Sequence, residues 1–165
     1  MSYTVTISPT LSKEEKYKAL LPQIKSLVEG EKDAVANLGN ICAALKYNMP
    51  DYFWVGIYFA KGNELVLGPF QGPVACTRIK IPHGVCGTTV KERKTIMVED
   101  VNEFPGHIAC SADSKSEIAV PVFKNNEVIA VLDVDSDKYS SFDDTDKLYL
   151  EQLSSIISEL ISSEK

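Results

Sequence analysis

Apolar residues recur at helical spacing in three segments, which are residues 12–29, Asp33–Lys46 and Asp143–Ser162. Ser12 and Glu15 have the spacing of a capping box at the start of the first segment. The pattern therefore predicts one amphipathic helix in each segment. Their apolar stripes contain Tyr17, Leu20, Leu21, Ile24, Leu27 and Val28; Val35, Leu38, Ile41, Cys42 and Leu45; and Leu150, Leu153, Ile156, Ile157, Leu160 and Ile161.

Between the second and third helices the apolar period changes from 3.6 to 2 residues, which is typical of strands. Gly62-Asn63 and Asn125-Asn126 have the composition of tight hairpin turns. The chain is therefore predicted to form one α+β domain over residues 1–165, with a largely antiparallel sheet and helices at both ends. The predicted strands are Tyr52–Ala60, Glu64–Phe70, Thr95–Glu99, Glu117–Lys124 and Glu127–Asp135.

The segment between Gly72 and Ser116 departs from this regular pattern and is rich in Gly, Pro, Cys and His. Apart from the Thr95–Glu99 strand, only a short helix at Gly87–Arg93 is predicted there, and the rest is predicted to be loop. Loops on a rigid scaffold often carry binding and catalytic residues. We therefore expect the functional site in this segment.

Composition narrows the choice of partners and compartment. The 165 residues are 44% hydrophobic and 24% charged, as in a globular domain that buries a core, and the formal net charge is −6. A chain with this negative charge and no basic patch would be repelled by nucleic acid and by an anionic membrane. We therefore expect neither as a partner. The N-terminus lacks the pattern of a secretory signal, so we expect a cytoplasmic protein whose thiols are kept reduced.

Three of the four cysteines, Cys76, Cys86 and Cys110, lie in the loop-rich segment, whereas Cys42 lies on the stripe of the second helix and is predicted to be buried. Neighbouring loop thiols suit redox chemistry, because a sulfenic acid formed on one can be resolved by another. A zinc-binding domain is the alternative, since His83-x-x-Cys86 and His107-x-x-Cys110 offer four ligands. That set would leave Cys76 unused.

Strand alternation predicts a small pocket on one face of the first strand. Trp54, Gly56 and Tyr58 share that face, so two aromatic rings have a gap between them that suits a methyl group or a small apolar ligand end. Ordinary packing against a helix is the alternative. The opposite face contains Phe53, Val55, Ile57 and Phe59.

Two carboxylates, Asp133 and Asp135, share one face at the end of the last strand, opposite Val128, Ala130, Leu132 and Val134. They are either solvated or held by a cation, a proton or hydrogen-bond donors. Regular pairing across the two-residue turn places Glu117 opposite Val134, away from both. Bringing the three carboxylates together requires one extra residue in the turn or in a bulge, and Pro121 is a candidate for a bulge or an edge position.

Five motifs resemble the free methionine-(R)-sulfoxide reductase family, which uses a GAF-type domain, and the resemblance covers nearly the whole chain. It implies a GAF-like central antiparallel sheet flanked by the N- and C-terminal helices. The motifs are Gly72-Pro-Val-Ala-Cys76, Gly84-Val-Cys-Gly87, Phe104-Pro-Gly-His-Ile-Ala-Cys110, Ser116-Glu-Ile-Ala-Val-Pro121 and Val131-Leu-Asp-Val-Asp135.

The resemblance implies a thiol mechanism for reducing free methionine sulfoxide. Cys110 is the nucleophile that attacks the sulfoxide sulfur, becomes a sulfenic acid and releases methionine. Cys76 then closes a disulfide with it, and Cys86 has an auxiliary or alternative resolving role. A thioredoxin-like protein reduces the disulfide, and neither a bound cofactor nor a metal is needed. Ser111 departs from the family, which commonly has Asp directly after the nucleophile.

The same resemblance assigns roles to the predicted pocket. Glu117, Asp133 and Asp135 bind the substrate ammonium and deliver a proton to the sulfoxide oxygen. Trp54 and Tyr58 enclose the methyl end. A GAF module that senses a small ligand without turnover is the other reading. The terminal helices either pair between chains in a homodimer or cover the sheet of their own chain.

Overall fold

The computed structural model describes residues 4–108 and 110–162, and within these ranges it contains four α-helices and one six-stranded sheet. Residues 1–3 of the N-terminus, Ala109 of the Phe104–Cys110 motif and residues 163–165 lie outside the described ranges. The helices are α1 (Lys13–Val28), α2 (Ala34–Asn48), α3 (Gly84–Glu92) and α4 (Asp144–Ser162). The strands are β1 (Trp54–Lys61), β2 (Glu64–Gln71), β3 (Arg78–Lys80), β4 (Ile96–Val98), β5 (Ser116–Lys124) and β6 (Glu127–Ser136).

The sheet has the strand order β3-β2-β1-β6-β5-β4, and every neighbouring pair is antiparallel. The predicted α+β class with a central antiparallel sheet is confirmed. Both predicted two-residue turns are present, because Lys61 pairs with Glu64 and Lys124 pairs with Glu127. Asn125 and Asn126 both have positive φ, as a hairpin turn of this length requires.

Helices α2 and α4 cover one face of the sheet, and α1 packs on α2 and α4. The three helices and this face of the sheet form the main apolar core. The capping box of Ser12 and Glu15 begins α1, as predicted, and Asp33 caps α2. One residue of the predicted stripes is misplaced, since Val35 is 62% exposed in the first turn of α2. The C-terminal helix α4 thus covers the sheet of its own chain, whereas the N-terminal helix α1 packs on α2 and α4. None of the described helices combines the length and apolar character needed to cross a membrane.

Cys42 is fully buried in this core, as its place on the stripe predicts. Burial raises the pKa of its thiol to about 12. A thiol with such a pKa stays protonated at neutral pH. Cys42 is therefore a packing residue.

A polar cluster around the buried Asp146 joins α1 to the start of α4. The Lys13 Nζ atom lies 2.6 Å from Asp146 Oδ2 and 2.9 Å from Asp143 Oδ2. The Tyr17 hydroxyl donates to Asp146 Oδ1 at 2.6 Å and also contacts the Tyr52 hydroxyl. Because Asp146 is fully buried, its charge depends on these partners. The cluster fixes the two terminal helices against each other.

Two elements of the loop-rich segment differ from the prediction. Strand β3 was not predicted, because only Ile79 of its three residues is buried and no period can be recognised. Helix α3 begins at Gly84 rather than Gly87, since packing of its first turn overrides the low helix propensity of glycine. Gly87 allows a close approach, as a Cβ there would lie 2.8 Å from the carbonyl carbon of Pro82.

The extra residue that the three carboxylates require is present as a bulge in β6. Phe123 pairs with Val128 and Val122 pairs with Ala130, so Ile129 is inserted between them and packs toward the helical core. Of the two positions predicted for Pro121, the bulge is wrong, because Pro121 pairs regularly with Val131, whereas the edge position agrees with the pairing of the described residues. Since β4 pairs only with residues 117–119, Pro121 has no strand neighbour on that side, where a missing N–H is tolerated.

Candidate active site

A cavity of about 40 Å³ lies on the sheet face opposite the long helices. Strands β1, β5 and β6 form its floor, and α3 and the loop before β5 form its walls. Seven of the eight predicted site residues line it. They are Trp54, Tyr58, Cys86, Cys110, Glu117, Asp133 and Asp135.

The eighth residue, Cys76, is joined to Cys110 by a disulfide bond, with 5.2 Å between the two Cα atoms. This is the pair that the family resemblance implies. Because the two cysteines are 34 residues apart in sequence, the bond ties the loop before β3 to the loop before β5. The disulfide thus lies at the wall of the cavity.

The four ligands of the predicted zinc set are not brought together. Cys110 is committed to the disulfide, and His83 begins α3 without a side-chain cap bond. Burial lowers the pKa of His107, whose Nδ1 atom has no hydrogen-bond partner among the described residues. The zinc domain built on these two H-x-x-C pairs is therefore wrong.

The bulge in β6 places the three carboxylates on the cavity side of the sheet. Glu117 of β5 pairs with Asp135 of β6, and Asp135 pairs with Trp54 of β1. Two residues along the same pair of strands, Asp133 of β6 pairs with Gly56 of β1. Because directly opposed residues on antiparallel strands point to the same face, the three acids converge.

Two of these acids are buried, so they are not the solvated strand end that the sequence left open as an alternative. Glu117 is 7% exposed and Asp133 is 6% exposed. The Ser114 hydroxyl donates to Asp135 Oδ1, and the Cys86 thiol donates to Glu117 Oε1 across 3.7 Å. The Oδ1 atom of Asp133 is buried without a hydrogen-bond partner among the described residues. The sequence marked neither Ser114 nor the contact between Cys86 and Glu117.

Burial raises the pKa of all three carboxyl groups. For Glu117 the negative charges of Asp133 and Asp135 add to the effect of burial, and its pKa lies well above the ordinary value. The pKa of Asp133 is raised to about 6. That of Asp135 is raised by burial and by the charge of Asp133, against the hydrogen bond from Ser114. The described residues lining the cavity include neither Lys nor Arg that could stabilise the ionised carboxylates, so the protonated forms are favoured more than in solvent-exposed acids.

Chemically, such a cluster can donate a proton or receive a cation. Cys86 lies beside it as a free thiol that is 3% exposed. Burial, and then the charges of Asp133 and Glu117, raise the pKa of the Cys86 thiol well above its ordinary value. Cys86 is therefore a neutral hydrogen-bond donor in this structure.

Trp54 and Tyr58 lie on the predicted face of β1, with their ring centroids 6.0 Å apart. The gap predicted between them is not open, because the indole lies over Gly56 and a Cβ at Gly56 would be 2.2 Å from Trp54 Cη2. Trp54 Nε1 donates to the carbonyl of Pro73 at 3.0 Å, and the Tyr58 hydroxyl donates to that of Cys76 at 2.9 Å. Both aromatic residues therefore hold the loop that carries Cys76.

Phe53 is also placed differently from the prediction. It packs against the cluster around the cavity, whereas Val55, Ile57 and Phe59 pack toward the helices as expected. Phe53 precedes the first residue of β1, so strict alternation does not apply to it.

Comparisons with known proteins find relatives over nearly the whole chain. Residues 37–162 match the family model of the GAF domain. The chain is 57% identical to GAF domain-containing protein A of Dictyostelium discoideum, over 86% of this chain and 90% of the relative. It is 43% identical to free methionine-R-sulfoxide reductase of Escherichia coli, over 87% of each chain. The X-ray structure of free methionine-R-sulfoxide reductase from Neisseria meningitidis in complex with its substrate is 45% identical, with a TM-score of 0.94 over 98% of this chain and 97% of that one.

Replacing Gly56 by Ala should displace the Trp54 ring, because the new Cβ would also lie 2.7 Å from the Phe70 Cβ. We expect destabilisation by about 1–3 kcal/mol. Gly39→Ala is the matched control, since nothing lies within 4 Å of a Cβ there and alanine in α2 should stabilise by up to about 1 kcal/mol. Urea unfolding and the near-ultraviolet circular dichroism of the single tryptophan measure both effects. Equal stability of the two variants would contradict the assigned packing.

Replacing Asp133 by Asn should stabilise the disulfide-bonded protein, and the gain should grow with pH. The folded-state pKa of about 6, against an ordinary value of 3.8, means that the folded state holds a proton more tightly, so wild-type stability falls as the pH rises through this window. Asparagine does not titrate and therefore removes that loss. Above this pH window the free energy of unfolding of the variant should exceed the wild-type value by on the order of 1–3 kcal/mol, and below the window the two should differ little. Urea unfolding as a function of pH tests this, with the exposed Asp137→Asn as control. A variant no more stable than wild type at neutral pH would show that Asp133 carries no such cost.

Proposed function

The chain belongs to the GAF-domain family and, within it, to the group that includes the free methionine-R-sulfoxide reductases, and on this premise we propose that it reduces free methionine-(R)-S-oxide to methionine. The resemblance predicted from the sequence motifs is thereby confirmed at the level of the family. The observation that carries the proposal is the Cys76–Cys110 disulfide at the wall of a cavity floored by buried carboxylates. In its reduced form this cysteine pair is an electron source, and it lies beside carboxyl groups that are a proton source.

In the first step the Cys110 thiolate attacks the substrate sulfur, and the sulfoxide oxygen is transferred to Cys110. The substrate sulfur gains two electrons and leaves as methionine, while the Cys110 sulfur loses two and becomes a sulfenic acid. A carboxyl group must protonate the oxygen as its bond to the substrate sulfur breaks. The raised pKa values of Glu117 and Asp135 support this role, because burial favours the protonated form of each carboxyl group.

In the second step the Cys76 thiolate attacks the sulfenic sulfur, and the hydroxyl group leaves as water after taking a proton. The product is the disulfide between Cys76 and Cys110. A thioredoxin-like dithiol then reduces it by thiol–disulfide exchange, so the cycle uses no bound cofactor. Cys86 is an auxiliary hydrogen-bond donor in this proposal, because it is buried against Glu117 and free while the other two cysteines are paired.

The cavity also supports a preference for the free amino acid. The buried acids are negative when ionised and would attract the substrate ammonium, and Trp54 and Tyr58 provide an apolar wall for the methyl end. A methionine sulfoxide inside a polypeptide has an amide in place of that ammonium. It would bury the acids without providing a positive charge, which is costly.

The proposed thiol roles predict distinct results for three variants. Methionine formation from the (R)-epimer, with thioredoxin and its reductase as electron source, should fall to background in Cys110→Ser. Cys76→Ser should form about one methionine per protein and then stop, because its sulfenic acid lacks a resolving thiol. Cys42→Ala changes a core thiol away from the cavity and should keep turnover.

The assay measures methionine by chromatography from the (R)-epimer and, in parallel, from the (S)-epimer. Formation of methionine by Cys110→Ser at the wild-type rate would overturn the proposed nucleophile. A wild-type protein that binds methionine sulfoxide but forms no methionine would favour the ligand-sensing GAF module.

The carboxylates should contribute through proton transfer. Glu117→Gln and Asp133→Asn should each lower kcat/KM by about 10²–10⁴-fold, the usual range for a lost general acid or its partner. Wild-type activity should decline as the pH rises through the raised pKa values, because the protonated acid is then lost. Asp113→Asn, on the exposed part of the same loop, is the control and should keep both the rate and the pH profile. A Glu117→Gln variant with the wild-type pH profile would contradict the assignment.

A further inference from the structure

Cys86, Glu117 and Asp133 form a compact set of potential metal ligands in the floor of the cavity. One ligand atom from each, a thiol sulfur and two carboxylate oxygens, lies within 4.8 Å of the other two. The three residues come from α3, β5 and β6, and all are buried. This set shares only Cys86 with the two H-x-x-C pairs of the sequence.

A second observation is that one oxygen atom of this set lacks a hydrogen-bond partner among the described residues. The Oδ1 atom of Asp133 is buried and accepts no hydrogen bond from any described residue. Buried carboxylate oxygens almost always have a hydrogen-bond donor or a cation beside them. This oxygen belongs to a residue lining the cavity, so a ligand entering there could supply the missing partner.

The spacing of the atoms suits a tetrahedral metal ion. With zinc–sulfur and zinc–oxygen bonds of about 2.3 and 2.0–2.2 Å, a tetrahedral site separates sulfur from oxygen by about 3.6 Å and two oxygens by about 3.3 Å. The Cys86 Sγ to Glu117 Oε1 distance is 3.7 Å. The Asp133 oxygen lies within 4.8 Å of both atoms, so binding would require the Asp133 carboxylate to approach them by at most about 1.5 Å.

We propose that Cys86, Glu117 and Asp133 bind one zinc ion or another thiophilic divalent cation, with the fourth coordination position facing the cavity. Three protein ligands and one open position are the arrangement of an accessible zinc site. The thiolate favours zinc and cadmium over magnesium and calcium. On binding, the thiol proton and the protons held by the carboxyl groups are released to solvent, and the metal ion balances the negative charges that result.

The consequence for catalysis rests on the proposed function, whereas metal binding does not. A metal ion at this position would occupy Glu117 and Asp133, the groups assigned to the substrate. Zinc and methionine sulfoxide would then exclude each other from the cavity. Free zinc would thus be a competitive inhibitor.

The disulfide-bonded protein offers a clean test with cadmium alone as the probe. Its Cys76 and Cys110 sulfurs are in the disulfide, and Cys42 is buried in the helical core. An ultraviolet cadmium–thiolate charge-transfer band therefore reports Cys86. We expect the band to saturate at one cadmium per protein, zinc to displace it, and excess magnesium or calcium to leave it unchanged.

Three variants and one control complete the experiment. Cys86→Ser should abolish the band, and Glu117→Gln and Asp133→Asn should each weaken cadmium binding by at least about tenfold. Cys42→Ala should keep the band and the affinity. Thermal melting checks that each variant folds. If Cys86→Ser does not fold, the two carboxylate variants still test the metal site.

The proposal is overturned if the wild-type protein shows no band with excess cadmium, or if the band survives unchanged in Cys86→Ser or in both carboxylate variants. Methionine formation is measured separately on the same preparations. A protein that is inactive but shows the Cys86-dependent band would refute the reductase and keep the metal site. A protein that is active but shows no band would refute the metal site and keep the reductase.

Discussion

The structure of the site depends on one inserted residue, the bulge at Ile129 in β6. Side chains alternate between the two faces of a strand, so a shift of one residue in register moves a side chain to the other face. With a regular hairpin, Glu117 would pair with Val134 and point into the apolar core under the long helices. The bulge instead pairs Glu117 with Asp135 on the cavity side. Every chemical property of the cluster follows from that pairing.

The two faces of the sheet have different contents: one packs the main apolar core, and the other carries the cavity with its acidic and thiol side chains. The face under α2 and α4 buries an almost purely apolar core, whereas the other face buries Glu117, Asp133 and the Cys86 thiol and half-buries Asp135. Burying like charges together is costly, and the folded protein lowers this cost by keeping protons on the cluster. The disulfide and the hydrogen bonds from Trp54 and Tyr58 fix the loops that close the cavity. The result is a set of buried acids beside the Cys76–Cys110 disulfide.

Periodic elements could be predicted from the sequence, and elements defined by tertiary packing could not. The helices and longer strands have enough residues to show a period, but β3 has one buried residue and the first turn of α3 contains two glycines. The need for an extra residue followed from the positions of Glu117, Asp133 and Asp135. Its location at Ile129 did not, because nothing in the hairpin sequence distinguishes it from Pro121. The pairing of Cys76 with Cys110 came from the family resemblance, since three loop cysteines alone allow several pairings.

The most direct test of the account is the stoichiometry of a single turnover without external reductant. Fully reduced protein is mixed with excess racemic methionine sulfoxide labelled with ¹³C at the methyl group, and methionine and free thiols are counted by NMR and thiol titration. The account predicts one methionine per protein, made from the (R)-epimer alone, with the loss of two thiols and a new disulfide between Cys76 and Cys110. Methionine formed without thiol loss, or no methionine from protein whose thiols are fully reduced, would contradict it.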